Sequence, residues 1–383
     1  MTVGVPAESL AGERRVAITP AALPALTKLG LRVVVEAGAG AAAGFPDDEY
    51  VARGAEVSTR AAALGADILA TVRVAGADAE SPDLASISRG QTVIGTVAPF
   101  AQPEVVAAVA ATGATLYALE LVPRTTRAQA MDVLSSQANI AGYKAVLLAA
   151  EALPKVFPLL TTAAGTLAPA KVFVIGAGVA GLSAIATARR LGAVVEAYDV
   201  RAAAGEEVKS LGARFLELPL DTGQEGAGSG AYASALSEET LRKQQEMMAK
   251  TIAGSDVVIT TAQVQGAKAP TLLTAEQVAG MRAGSVVVDL AAEQGGNCEL
   301  TKAGETVVTD NGVSIIGPVN VPSSVAHHSS LVYAKNVANF IGLLIANGAI
   351  APDPEDDVVN QSMVCRDGEI LNERVRDAIG VAS

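Results

Sequence analysis

Tryptophan is absent from this chain, cysteine and histidine occur twice each, and aromatic side chains make up only 3% of its 383 residues. Cys298 and Cys365 lie far apart and neither has a ligand-like neighbour, which argues against a disulfide framework or a zinc site and fits a reducing compartment. His327 and His328 are the only histidines, so neither a Ser/His/Asp nor a Cys/His arrangement can be assembled from the sequence. Basic residues are also outnumbered, 28 against 40 acidic ones, for a net charge of −12. That balance argues against nucleic acid as a partner and predicts a soluble surface. Long apolar runs are missing too. The best candidate span, 331–350, carries Lys335, Asn336, Asn339 and Asn347, so it reads as a packed helix. The opening MTVGVPAESL has neither the basic nor the apolar region of an export signal. Any membrane connection is therefore expected to come through a partner.

What is present suits a compact α/β protein. Half the residues are hydrophobic and only 18% are charged, as buried parallel strands require, and the length allows two domains. The most informative stretch is 171–201, KVFVIGAGVAGLSAIATARRLGAVVEAYDVR. It reads as strand, glycine-rich turn, helix, strand. Gly176 permits the tight turn, Gly178 lets backbone approach a pyrophosphate, and Gly181 lets the helix pack on the sheet. The helix start offers unpaired N–H groups to the phosphates. Asp199 stands where a carboxylate accepts from ribose hydroxyls and disfavours a 2′-phosphate, so NAD(H) is expected over NADP(H). Val174, Val179, Ala180 and Val200 frame the same motif and are expected to line the cofactor. Arg201 reads equally as a contact to the adenosine or diphosphate and as a solvated loop arginine.

Elsewhere the pattern repeats. Val3 to Val5 reads as a strand, Thr19-Pro20 as a helix start, and 31–36 as the next strand, followed by GAGAGAAAG. Gly38 and Gly40 resemble a dinucleotide turn, but no cleanly capped helix follows, so the repeat reads as structural. Apolar strands are expected at 66–74, 91–97 and 115–119, and then at 256–261, 285–290 and 313–316. Gln263, Asp289, Glu293 and Gln294 follow strand ends on the ligand-binding edge and read either as contacts to a nicotinamide ribose or substrate or as caps of the sheet. The segment 221–237 is nearly all Gly, Ala, Ser and acid, with Tyr232 as its one large side chain; it reads equally as a linker and as a lid. From Ala128 a helix is expected, and its first turn (Arg127, Gln129, Asp132, Ser135, Ser136, Gln137) has the groups that fix hydrogen bonds in a cleft. The helix near 330–346 is expected to return to the first domain.

Oxidising an alcohol or amine requires a group to manage the accompanying proton. The first domain, which should face the nicotinamide, is read as containing no histidine at all. A site without acid or base fits passage of hydride alone between two nicotinamides, where positioning is the chief demand.

RAQAMDVLSSQANIAGYKAV, with Arg124 just before it, resembles the NAD(H)-binding component of the proton-translocating transhydrogenases, in the alanine dehydrogenase/transhydrogenase family. GERRVAITP, IGAGVAGL, AYDVR, TTAQVQG and VDLAAEQGGN extend the resemblance over essentially the whole chain. It implies two Rossmann-like, doubly wound α/β domains separated by a cleft, the first from 1–134 plus 322–383 and the second from 135–321. It implies that Arg124 and Gln129 meet the nicotinamide end, that Asp132 and Ser135 complete a catalytic polar cluster with them, and that Arg127 and Gln263 belong to the cofactor site. It makes 221–237, with Tyr232, a mobile loop over the nucleotide. NADP(H) would sit on a partner subunit, proton movement would belong to a membrane subunit, and the chain would be a homodimer, cytoplasmic and peripheral on the inner membrane through its partners. Alanine dehydrogenases share several motifs. Arg73 without a lysine, VIGTVAPF without a histidine, and Glu293 beside QGG depart from their pattern.

Overall fold

A computed structural model describes residues 1–217, 238–264 and 266–380, with residues 238–244 described by backbone alone. Tyr232 and the rest of 221–237 lie outside the described residues. The chain divides into two compact units: Met1–Ile140 with Gln265–Ala267 and Asn320–Ser383, and Ala141–Val264 with Lys268–Val319. The first division falls at 140/141, inside the continuous helix Val133–Ala152, whose opening turns belong to the first unit.

The first unit is built on six parallel strands. In chain order they are Thr2–Val5, Arg32–Glu36, Glu56–Ser58, Ile68–Arg73, Thr92–Thr96 and Thr115–Ala118, and in space they run third, second, first, fourth, fifth, sixth. Two antiparallel strands, Met363–Arg366 and Glu369–Ile370, extend the sheet beyond the sixth. Both faces are covered. Ile68, Ala70 and Val72 pack on one side with Tyr333, Val337, Phe340 and Ile341 of the helix Ala326–Leu344, while Leu69 points to the other side with Val105, Val106 and Val109. The two-residue side-chain period of a strand, with apolar residues in both phases, requires this double cover.

The second unit repeats the order. Lys171–Ile175, Val194–Tyr198, Arg214–Phe215, Val257–Thr260, Val286–Asp289 and Ser314–Ile316 are again parallel and again run third, second, first, fourth, fifth, sixth, with Thr306–Val308 antiparallel at the edge. Phe173, Ile175, Val258, Val287 and Ile315 share one core with Leu273, Val278 and Met281. In both sheets the first and fourth strands are neighbours from which the chain winds in opposite directions, and in such sheets ligands bind beyond the carboxyl ends at that switch point.

Both cysteines are buried. Burial raises the Cys298 thiol and pushes that of Cys365 up to about 12. Among the described residues no helix is long and apolar enough to cross a membrane.

Candidate nucleotide site

In the second unit the turn after Lys171–Ile175 has the steric demands expected of its glycines. Gly176 adopts φ 98°, and a Cβ there would lie 2.5 Å from Thr261 Oγ1. A Cβ on Gly181 would lie 1.8 Å from the Gly176 carbonyl oxygen, so only glycine lets the helix Val179–Arg190 start this close to the turn. Gly178 differs: a Cβ there meets no protein atom within 4 Å. Two glycines are therefore needed by the protein itself, and the third leaves open space in front of the helix start, as close approach of a phosphate requires. By contrast, a Cβ on Gly40 would lie 2.6 Å from the Phe45 carbonyl oxygen and 2.7 Å from the Tyr50 hydroxyl, and Asp47 accepts from the Gly38 N–H at 2.9 Å. At Gly40 the turn of the first unit is filled by its own chain, whereas a Cβ on Gly38 would meet no atom within 4 Å.

Three supports of the second-unit turn were not legible as functional. Thr261 Oγ1 donates to the Gly176 carbonyl at 3.1 Å. Asn297, fully buried, accepts from the Ala262 N–H at 3.0 Å and donates to the Ala262 carbonyl at 2.9 Å, fixing the segment that carries Thr261. Gly142 lets the helix Val133–Ala152 pass the nucleotide helix, since a Cβ there would lie 2.0 Å from the Ala180 carbonyl oxygen. The GYK within the long motif carried that signal.

Asp199 reaches back to the turn. One carboxylate oxygen accepts from the Ala177 N–H at 2.7 Å, and Arg201 donates to the carboxylate through its backbone N–H at 2.8 Å and its Nε at 3.0 Å. Burial works to raise the Asp199 carboxyl, but the Arg201 bonds and the Ala177 N–H outweigh it and leave it below the usual range. Arg201 is thus paired with Asp199. Val179 and Val200 are exposed and Ala180 is half-buried, while the Val174 side chain is wholly buried in the sheet. Gln263 donates from Nε2 to the Leu290 carbonyl at 2.7 Å at the strand edge. Of its two expected uses, Asp289 takes that of a cap of the sheet. Fully buried, it accepts from Thr260 and Thr301 hydroxyls and from the N–H groups of Ala291, Asn297 and Cys298.

In the first unit the segment 124–137 does not run as one helix. Thr126–Met131 is a 3₁₀ turn, Asp132 is extended, and the α-helix begins at Val133. Ala128 and Met131 are buried and anchor the turn, which leaves Arg124 and Gln129 exposed. Asp132 accepts from the Ser135 N–H at 2.8 Å and from its hydroxyl at 2.6 Å, the geometry of a helix N-cap. Arg127 is turned onto Asp356 and Asp357, an ion pair within this unit. Arg15, buried, pairs with Glu13 at 2.7 Å and donates to Gln137 at 2.8 Å. Both histidines belong to this unit, so the expected lack of imidazole holds for its N-terminal segment alone. His327 stacks on Phe45 at 4.4 Å and its Nδ1 lies 2.9 Å from the Ala43 carbonyl oxygen, a packing role.

Two sheets of one winding order, with a glycine turn and an acidic strand end at the switch point of the second, define a two-domain Rossmann-like protein of the dehydrogenase type. The Alanine dehydrogenase/PNT N-terminal domain matches residues 4–141 and the corresponding C-terminal domain residues 145–373. The chain belongs to this family. It is 44% identical to an NAD(P) transhydrogenase alpha-subunit polypeptide of Rhodospirillum rubrum, over 97% of this chain and 98% of that one. It is 31% identical to "Alanine dehydrogenase" of Halomonas elongata over 100% and 97%. Among solved structures, the transhydrogenase from Sinorhizobium meliloti superimposes with a TM-score of 0.87 at 44% identity, covering 97% of this chain and all of that one.

Proposed function

We propose that this chain binds NAD(H) and passes hydride between NADH and NADP⁺ held on a partner subunit, with proton translocation belonging to a membrane subunit. The observation that carries this reading is the exposed Arg124 and Gln129 on a turn anchored by Ala128 and Met131, in a chain 44% identical to a transhydrogenase alpha-subunit polypeptide along nearly its whole length. The nucleotide, when bound, supplies the hydride. Gly178 and the first N–H groups of Val179–Arg190 receive its diphosphate, and Asp199 accepts from the adenosine ribose, with Arg201 beside it. Gln129 and Arg124 orient the nicotinamide end, and Asp132 and Ser135 complete that polar cluster. Orientation is the main demand on such a site, because hydride transfer between two nicotinamides needs no proton donor or acceptor. The chain is proposed to act as a homodimer, held at the inner membrane through its partner subunits.

The test combines the purified chain with an NADP(H)-binding partner and follows transhydrogenation. Gln129→Ala is expected to cut the rate by roughly tenfold to a hundredfold, the range for a lost positioning contact; a fully active variant would remove Gln129 from the mechanism. The 31% identity to an alanine dehydrogenase motivates the alternative of NAD-dependent alanine deamination. Arg73 and Glu293 stand against it, and the absence of NAD⁺ reduction by this chain with saturating alanine would discard it.

A further inference from the structure

The turn that carries Gln129 is held from outside by two asparagines that none of the nucleotide motifs contains. On the helix Ala326–Leu344, Asn336 and Asn339 are three residues apart and so lie on one face. Both side-chain amides donate to the same acceptor, the Ala130 carbonyl, Asn336 at 2.8 Å and Asn339 at 3.1 Å. Asn336 holds a second point: its Oδ1 accepts from the Ser136 hydroxyl at 2.7 Å. Asn336 is buried, where an amide left without partners loses its water hydrogen bonds with nothing in exchange, so its bonds are obligatory. One side chain therefore grips the segment on both sides of Asp132 and Ser135, and the carbonyl it holds directly follows Gln129.

We propose that Asn336 and Asn339 are positioning residues for hydride transfer, clamping the Ala130 carbonyl so that Gln129 and Arg124 are presented in one fixed arrangement. The inference rests on the reading that these two side chains orient the nicotinamide. A 3₁₀ turn of six residues has little cohesion of its own, because its hydrogen bonds are poorly aligned and such runs are short. Its inward residues, Ala128 and Met131, fix depth, but neither fixes rotation about the chain. Two donors converging on one carbonyl do. Clamp loss is thus expected to leave the nucleotide motifs intact and to disturb only the orientation of the polar pair.

The experiment compares the full-length chain with Asn336→Leu and Asn339→Leu, each close in size to the original and unable to donate. Amide hydrogen exchange over 124–137, the NADH dissociation constant, and single-turnover hydride transfer with an NADP(H)-binding partner are measured on each. The expected result is faster exchange in that segment, an unchanged dissociation constant, and transfer slowed roughly tenfold to a hundredfold in Asn336→Leu, less in Asn339→Leu. Asn339 is exposed, so its variant carries the test if Asn336→Leu does not fold. Unchanged exchange would overturn the clamp itself. Faster exchange with undiminished transfer would leave the clamp standing as structure and overturn its role in the reaction, whereas a fully active Gln129→Ala in the same assay would overturn instead the reading of Gln129 on which it rests.

Discussion

Gly181 and Glu8 show how single residues commit this chain. A Cβ at Gly181 has nowhere to go, since the atom it would strike, 1.8 Å away, is the backbone carbonyl oxygen of Gly176. Gly181→Ala must push the helix off the turn, at a cost of about 1–3 kcal/mol, and is expected to abolish NADH binding in a fluorescence titration; binding at the native affinity would show that the turn is not the diphosphate site. Glu8 accepts from the N–H groups of Val72 at 2.6 Å and Arg73 at 2.9 Å, yet burial pushes its carboxyl up to about 8 against those bonds. In the unfolded chain it ionises near the ordinary value of about 4.3. Between those values unfolding releases a proton, so its contribution to stability is full at low pH, falls as pH rises, and levels off above about 8. Glu13 has the opposite sign. Burial opposes its charge, but Arg15 dominates and holds it at about 2, so its contribution is present at neutral pH and fades as pH falls from about 4.3 toward 2. Urea unfolding from pH 5 to 8 is expected to give a flatter stability profile for Glu8→Gln than for the native chain, whatever constant offset the lost acceptor brings. Parallel profiles would mean that Glu8 keeps its charge.

At the scale of elements, the start of the long helix is where sequence reading and structure part. Asp132 and Ser135 read as groups meant for a ligand, but the same three-residue spacing is also that of an N-cap and the N–H it satisfies. In sequence alone the two uses look alike. Asp132→Ala is expected to cost about 1 kcal/mol in chemical denaturation, and Asp132→Asn much less; equal losses would deny the cap. The glycine turn was legible because Gly176, Gly178 and Gly181 answer to local sterics within one strand, turn and helix. The strand Met363–Arg366 was not, since its partner in the main sheet, Thr115–Ala118, lies far away in sequence and a short apolar run does not name it, and Glu369–Ile370 joins the sheet only through Met363–Arg366. The ion pair of Arg127 was not legible for the same reason: Asp356 and Asp357 are distant in the chain, and only folding brings them to it. The burial of Val174 follows from its strand, which leads into the glycine turn and still buries its own side chains.

For the molecule as a whole, each unit has its own sheet and its own core, which is the condition for separate cooperative melting. Scanning calorimetry is expected to resolve two transitions, with NADH raising chiefly the one that belongs to Ala141–Val264 and Lys268–Val319. At a hundred times its dissociation constant the nucleotide would add about 2.7 kcal/mol to that unit. A single transition shifted as one would show that the two cores melt together. The burial of both cysteines has a use of its own. A thiol reacts as thiolate, and with Cys298 raised and Cys365 near 12 almost none is present at neutral pH. The native chain is therefore a quiet background for chemical labelling, and a single cysteine introduced at exposed Ala130 would accept a spin label or fluorophore on the proposed hydride-site turn without any native residue having to be removed.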